Sequence, residues 1–156
     1  MSSSVLSTQR ASRTVWGAVL GMSLCAFALV ASEFLPVSLL TPIATDLSLS
    51  EGQAGQAISI SGFFAVISSL LMGALTQGVD RKPVLLGTTA LMLVSGALVA
   101  FAPNYPILML GRAILGIAIG GYWSMSTAVM MRIAPEALVP KAIAVMQGGT
   151  ALATAI

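Results

Sequence analysis

The sequence is poor in charge and contains no histidine. Of its 156 residues, 8% are charged and 57% are apolar, and the mean hydropathy is +0.98, whereas soluble domains carry about 25% charged residues. The single cysteine, Cys25, excludes an intrachain disulfide. Without histidine, the common zinc sites and the serine or cysteine catalytic triads lack essential parts. We therefore expect no enzyme, no metal site and no cofactor.

Basic residues are also few, and their distribution predicts orientation rather than nucleic-acid binding. The net charge is +2, and the seven Lys and Arg residues form no basic stripe, which argues against a nucleic-acid partner. Lys and Arg near membrane ends favour the cytoplasm. Arg10 and Arg13 precede the first apolar block, whereas the first and third connectors contain no basic residue. We expect a cytoplasmic amino terminus.

What the chain has in quantity is apolar sequence, in blocks of the roughly 20 residues that cross a bilayer. The blocks run from Val15 to about Ile43, from about Ala54 to Thr76, from Val84 to Ala102 and from Ile107 to Met130, and another begins near Ala142. Short connectors with turn residues separate them. The sequence predicts an all-α integral membrane protein with a cytoplasmic segment over residues 1–14 and membrane helices over residues 15–156.

Both ends of the chain need interpretation. A secretory leader is an alternative for the first block, because Arg10 and Arg13 precede it and small residues follow. Since the apolar run continues to Ile43 and more spans follow, an uncleaved first helix is the better interpretation. The segment from Ala142 to Ile156 covers about 22 Å as a helix, less than a hydrocarbon core of about 30 Å. We therefore expect an amino-terminal fragment with an incomplete fifth helix.

Two charged residues, Glu33 and Arg112, lie inside the predicted spans, where a charge costs about 2.5–3.5 kcal/mol. At 1.5 Å per residue they lie about 15 Å and about 8 Å from the outer ends of their helices, so they can share one aqueous cavity. A carboxylate in a low-dielectric surrounding takes up a proton more readily, and a nearby guanidinium moderates this. We expect a proton-coupling pair. A static ion pair, or an Arg112 that snorkels to the interface, remains open.

Prolines and glycines shape the same two helices. Pro36 and Pro42 predict an interruption of the first helix after Glu33, which suits a ligand cavity but is also compatible with an ordinary proline bend. Gly116 and Gly120 form a GxxxG spacing, which is typical of close helix packing.

Three residues of the fourth block are candidates for a substrate cavity: Trp123, Ser126 and Thr127. Trp123 follows Arg112 by eleven residues, about three helical turns, and so lies near the same face. A flat aromatic ring beside hydroxyl groups can stack on a ring-shaped ligand. An aromatic side chain that packs between helices remains an equally good interpretation.

Several stretches resemble the major facilitator superfamily. The connector "GALTQGVDRKP", residues 73–83, is similar to the signature loop between helices 2 and 3, and "GRAILGIAIGG", residues 111–121, to the helix 4 motif whose Arg is associated with proton coupling. The stretch "SEFLPVSLLTPIATDLSLSEGQAGQ", which contains Glu33, is similar to the drug:proton antiporter branch. Within that branch it lies near the sugar-efflux members and the bacterial exporters of purine ribonucleosides.

The resemblance implies a fold of twelve helices in two halves, each half built of inverted three-helix repeats. This chain would supply helices 1–4 and the start of 5, and the carboxy-terminal half would be absent. The resemblance assigns proton coupling to Glu33 and Arg112. It assigns a cytoplasmic gate to Gly73, Asp80, Arg81 and Lys82.

The gate loop departs from the family pattern. Gln77 stands where the family commonly has Asp, and Asp80 where it commonly has Gly. The acidic member of the gate is thus missing from its usual place, and Asp80 in the neighbouring turn is the alternative. A loop of this composition is also compatible with a positive topological anchor.

The implied function is proton-driven export of purine ribonucleosides, or related small polar molecules, across a bacterial inner membrane. The implied partners are the cargo, protons, the lipid bilayer and the missing carboxy-terminal half. Three alternatives stay open: sugar or drug efflux, a four-helix transporter or scaffold that is complete as written, and an inert fragment of a broken reading frame.

Overall fold

A computed structural model of the chain describes residues 2–75 and 80–155. Within these ranges the regular structure is entirely helical. The helices are α1 (Ser2–Ser38), α2 (Leu40–Asp46), α3 (Glu51–Leu75), α4 (Arg81–Ala100), α5 (Tyr105–Ile133) and α6 (Val139–Ala155), with a 3-10 turn at Glu136–Leu138.

Four of these helices are long and apolar enough to span a membrane: Val15–Ser38 within α1, Gly52–Leu75, Arg81–Ala100 and Tyr105–Ile133. They correspond to the four apolar blocks of the sequence. The prediction of an all-α integral membrane protein is confirmed, and the chain is a multi-pass membrane protein.

The first block is interrupted after Glu33, as its prolines predict. Helix α1 ends at Ser38 and α2 begins at Leu40. Leu39 lies between them with φ −103° and ψ 14°, outside helical geometry. Pro36 lies inside α1, so the interruption comes between the two prolines rather than at the first. The helix is therefore interrupted three residues after Pro36 and six residues after Glu33.

The fourth block forms a longer helix than predicted, because α5 begins at Tyr105 and continues to Ile133. Asn104 stabilises its start, since Asn104 Oδ1 accepts a hydrogen bond from the backbone N–H of Ile107 at 3.1 Å. Arg132 lies in its last turn, where a positive charge interacts favourably with the helix dipole.

The chain divides into two compact units. The first contains α1 as far as Ala28, α5 from Ser126 and α6. In it, Ser23 Oγ donates a hydrogen bond to the Val145 carbonyl oxygen at 2.9 Å and so joins α1 to α6.

The second unit, Leu29–Met125, contains Glu33 and Arg112. Here α5 packs closely on α3 through the GxxxG pair. A Cβ atom at Gly116 would collide with the Ser61 carbonyl oxygen, and one at Gly120 with the Ala65 carbonyl oxygen. Both glycines therefore permit backbone contact between the helices, as their spacing predicts.

Two serine hydroxyls reinforce the packing around α5. Ser68 Oγ on α3 donates to the Ile117 carbonyl oxygen at 2.9 Å, and Ser95 Oγ on α4 donates to the Gly111 carbonyl oxygen at 2.8 Å. Each hydroxyl is thereby satisfied without water, as a membrane interior requires. The result is a second unit in which α3 and α4 both hold α5 in register.

Candidate functional site

Arg112 lies near the start of α5 and is completely buried, at 0% exposure. Its Nε donates a hydrogen bond to the Ala57 carbonyl oxygen at 3.0 Å and its Nη1 to the Ser32 carbonyl oxygen at 3.0 Å. Its Nη2 donates to the Glu33 carbonyl oxygen at 3.3 Å and to Ser61 Oγ at 3.0 Å. Acceptors on α1 and α3 thus use four of the five N–H groups of the guanidinium.

The acceptors of Arg112 are neutral. Three are backbone carbonyl oxygens. The fourth is the Ser61 hydroxyl, which itself donates a hydrogen bond to the Ile58 carbonyl oxygen at 2.8 Å. A guanidinium keeps its charge in essentially every protein environment. The positive charge of Arg112 is therefore solvated by dipoles inside the span rather than cancelled by a bound carboxylate.

Glu33 is half-buried and meets Arg112 through its backbone carbonyl oxygen. In the part of the chain that the structure describes, no ion pair within 4.0 Å joins its carboxylate to the guanidinium. The two residues lie together, as expected, but not as the static ion pair that the sequence left open. The complete burial of Arg112 also excludes, for this structure, a side chain that snorkels to the interface.

The three candidates for a substrate cavity differ in exposure although all lie on α5. Trp123 is half-buried, with its ring edge-on to Tyr122 at a centroid distance of 5.6 Å and an interplanar angle of 82°. Ser126 is fully buried, whereas Thr127 is exposed. Trp123 is thus packed on one side by an aromatic ring and remains partly accessible.

The four gate residues occupy the end of α3 and the start of α4. Gly73 is exposed in the last turn of α3. Asp80 immediately precedes α4 with an extended backbone, φ −64° and ψ 129°. Arg81, half-buried, and Lys82, exposed, form the first turn of α4. Gln77, the departure from the family loop, lies outside the described residues.

Ser32, Ala57 and Ser61 were not singled out by the sequence, although they bind Arg112. Ser32 and Ala57 act through the backbone, which every residue possesses, so their side chains carry no signal. Ser61 is one of several serines in the second apolar block, and nothing in the sequence distinguishes it from its neighbours.

Comparison with known proteins adds a family and two kinds of relative. The sequence profile described as Major Facilitator Superfamily matches residues 22–156. The chain is 43% identical over 144 residues to the purine ribonucleoside efflux pump NepI of Salmonella typhimurium strain LT2, covering 92% of this chain and 36% of that protein.

A second relative carries a different kind of name. The chain is 60% identical over 141 residues to the transcription regulatory protein OpdE of Pseudomonas aeruginosa, covering 90% of this chain and 35% of that protein. The chain thus spans about a third of the length of both curated relatives.

Proposed function

Because the chain belongs to the Major Facilitator Superfamily, we propose that it is part of a proton-coupled antiporter that exports purine ribonucleosides or related small polar molecules. The proposed cargo follows the similarity to a purine ribonucleoside efflux pump. The cargo crosses the membrane unchanged while protons move inward, so the proposal is one of transport and not of enzymatic conversion. The proposed location is a bacterial inner membrane, with the amino terminus in the cytoplasm.

The arrangement of Arg112 and Glu33 is the observation that carries proton coupling. Four of the five guanidinium N–H groups have acceptors other than the Glu33 carboxylate, so that carboxylate is not required to hold the helices together. A half-buried carboxylate inside a span changes its preference for a proton as water reaches it or leaves it. In the proposed cycle Glu33 binds a proton on one side of the membrane and releases it on the other.

Electrostatics connects this proton to the rest of the site. Glu33 carries a charge of −1 or 0, and Arg112, whose hydrogen bond reaches the Glu33 backbone, remains at +1. Protonation of Glu33 therefore removes the counter-charge of a buried cation, which favours a state in which more water reaches the site. This is the step through which a proton gradient drives the change of access.

The remaining parts of the proposal are the cavity and the gate. We assign Trp123 to a purine-stacking surface, supported by its partial exposure, and keep Ser126 and Thr127 as polar candidates on the same helix. Gly73, Asp80, Arg81 and Lys82 are assigned to the cytoplasmic gate. Their support is the family membership and their position at the α3 and α4 ends.

The test is Glu33→Gln, made in the complete gene that encodes this chain. Its matched control is Asp46→Asn, which neutralises an exposed carboxylate at the end of α2. Export of labelled purine ribonucleosides from preloaded cells, or their uptake into everted membrane vesicles, is measured with and without a proton uncoupler. We expect Glu33→Gln to accumulate normally in the membrane but to lose uphill export, whereas Asp46→Asn retains it. Undiminished uphill export by Glu33→Gln would overturn the coupling role.

The same assay tests the cargo. Export of labelled sugars or drugs, without export of labelled purine ribonucleosides, would assign the chain to sugar or drug efflux instead. If the wild-type gene gives no export of any of these, the proposed transport is wrong.

A second candidate function, an effect on transcription, is favoured by the 60% identity to a protein named as a transcription regulator. The seven basic residues are scattered along the sequence and form no basic stripe, which argues against direct reading of DNA. A transporter can nevertheless change transcription by altering the concentration of a small effector molecule. If so, a deletion strain should regain its transcript pattern when it carries the wild-type gene but not when it carries Glu33→Gln. Recovery with both genes would show that the effect on transcription does not depend on proton-coupled transport.

A further inference from the structure

The carbonyl oxygen that Ser32 offers to Arg112 is available because of Pro36. In an α-helix each carbonyl oxygen accepts a hydrogen bond from the N–H four residues later. For Ser32 that residue is Pro36, which lies inside α1 and has no N–H. Arg112 Nη1 donates to this oxygen at 3.0 Å, so a donor from another helix replaces the one that proline removes.

The neighbouring carbonyl shows the contrast. The Glu33 oxygen has a normal helical donor position at Val37, and Arg112 Nη2 is farther from it, at 3.3 Å. Of the two α1 carbonyls that Arg112 contacts, the one freed by proline is the closer. Pro36 itself is buried, so the freed oxygen sits where a membrane protein must supply a partner from within.

We propose that Pro36 is the positioning residue for Arg112. By leaving the Ser32 oxygen without a helical donor, Pro36 gives Nη1 a backbone acceptor and ties the guanidinium to α1. Arg112 then needs no bond to the Glu33 carboxylate, which stays available for protons. The link between Pro36 and Arg112 stands on geometry alone, whereas its consequence for transport rests on the proposed function.

The substitution Pro36→Ala restores an N–H at position 36. Its effect on thermal stability should depend on whether Arg112 is present. With Arg112 present, the new N–H competes with Nη1 for the Ser32 oxygen. With Arg112→Met, which removes all donors but keeps a bulky side chain, the Ser32 oxygen is orphaned and the new N–H satisfies it. The Tm change caused by Pro36→Ala should therefore be about 1–2 °C more positive in the Arg112→Met background than in the wild type.

The measurement is thermal unfolding in detergent of the product of the complete gene, for the wild type, both single variants and the double variant. Pro42→Ala is the matched control, because its helical acceptor position is Ser38 and none of the hydrogen bonds of Arg112 in the described residues reaches Ser38. Pro42→Ala should shift the Tm equally in both backgrounds. An equal shift by Pro36→Ala in both backgrounds overturns the proposal.

Should Arg112→Met alone fail to accumulate in the membrane, accumulation itself becomes the readout. Recovery on adding Pro36→Ala, but not on adding Pro42→Ala, is then the expected result. Equal failure of both double variants overturns the proposal.

A transport measurement separates this inference from the proposed function. Pro36→Ala should lower the maximal rate of uphill nucleoside export several-fold and leave the KM for the cargo unchanged, because it alters the coupling pair and not the cavity. Coupled Tm shifts together with no export by the wild type would refute the proposed function and leave the positioning role intact. Uphill export by the wild type without coupled Tm shifts would refute the positioning role alone.

Discussion

The close contact between α3 and α5 predicts that two chemically identical substitutions have opposite effects. An added Cβ at Gly116 would collide with the Ser61 carbonyl oxygen and lie 2.9 Å from Phe64 Cβ, whereas a Cβ at Gly62 would meet nothing within 4 Å. Both glycines are inside helices, where Ala is favoured over Gly by about 0.8–1.0 kcal/mol. Only the change at Gly116 adds the cost of overpacking, about 1–3 kcal/mol.

Gly62→Ala should therefore raise the free energy of unfolding by up to about 1 kcal/mol, and Gly116→Ala should lower it by up to about 2 kcal/mol. With about 2–4 °C per kcal/mol for chains of 150–250 residues, the two Tm values should lie on opposite sides of the wild-type value. Because Ser61 also binds Arg112, the proposed function predicts that Gly116→Ala reduces uphill export as well. Thermal unfolding of the detergent-purified protein measures the first effect. A Gly116→Ala protein as stable as Gly62→Ala would show that α3 and α5 do not meet backbone to backbone.

Two further pairs test the packing of each unit. Ser68→Ala removes a hydrogen bond between α3 and α5 and should lower stability by about 0.5–1.5 kcal/mol, whereas Ser69→Ala, whose hydroxyl bonds within its own helix, should have a smaller effect. Denaturant or thermal titration compares them, and equal losses would contradict an interhelical role. In the first unit, Gly149→Ala would place a Cβ 2.6 Å from Ser23 Oγ, while Gly148→Ala meets nothing within 4 Å. Only the former should lower the Tm, and a Tm drop of the same size in both would contradict the α1–α6 contact.

The membrane spans could be predicted from the sequence because their signal is local. The length and hydropathy of each apolar block are sums over neighbouring residues, and a span needs about 20 of them whatever the rest of the protein does. The family resemblance could be seen for the same reason, because the strings at Gly73 and Arg112 that carry it are continuous in the chain. The match of the family profile to residues 22–156 confirms it. The helix ends were predicted less accurately, because the cap at Asn104 and the interruption at Leu39 depend on individual hydrogen bonds and backbone angles.

The interruption of the first helix shows where local reasoning stops. A proline removes one N–H and frees one carbonyl, and from sequence alone Pro36 and Pro42 are equally good sites for a break. In the structure α1 continues through Pro36. The freed carbonyl of Ser32 has found a donor in Arg112, 80 residues later in the chain, and no local pattern encodes a contact at that separation.

The same limit applies to the candidate site. The sequence predicts that Glu33 and Arg112 lie near each other, because both are charges inside spans with an energetic reason to share a polar surrounding. It cannot show that the guanidinium binds carbonyl oxygens, since a backbone acceptor leaves no trace in residue identity. The distinction matters for mechanism, because a side-chain ion pair and a backbone-bound cation beside a separate carboxylate respond differently to a proton.

A bound ion pair resists protonation, because the proton must displace the guanidinium from the carboxylate and leave a buried cation without partners. In the arrangement observed here, the partners of Arg112 remain in place whether Glu33 is charged or neutral, since none of the four acceptors is its carboxylate. Under the proposed function, proton binding then changes only the net charge of the site, between 0 and +1, without dismantling it. Hydrogen bonds from Arg112 to the backbone hold the helices, and under the same proposal the carboxylate is left to respond to water and protons. A coupling device needs this separation, because a group that must exchange protons in every cycle cannot also be the one that fixes the fold.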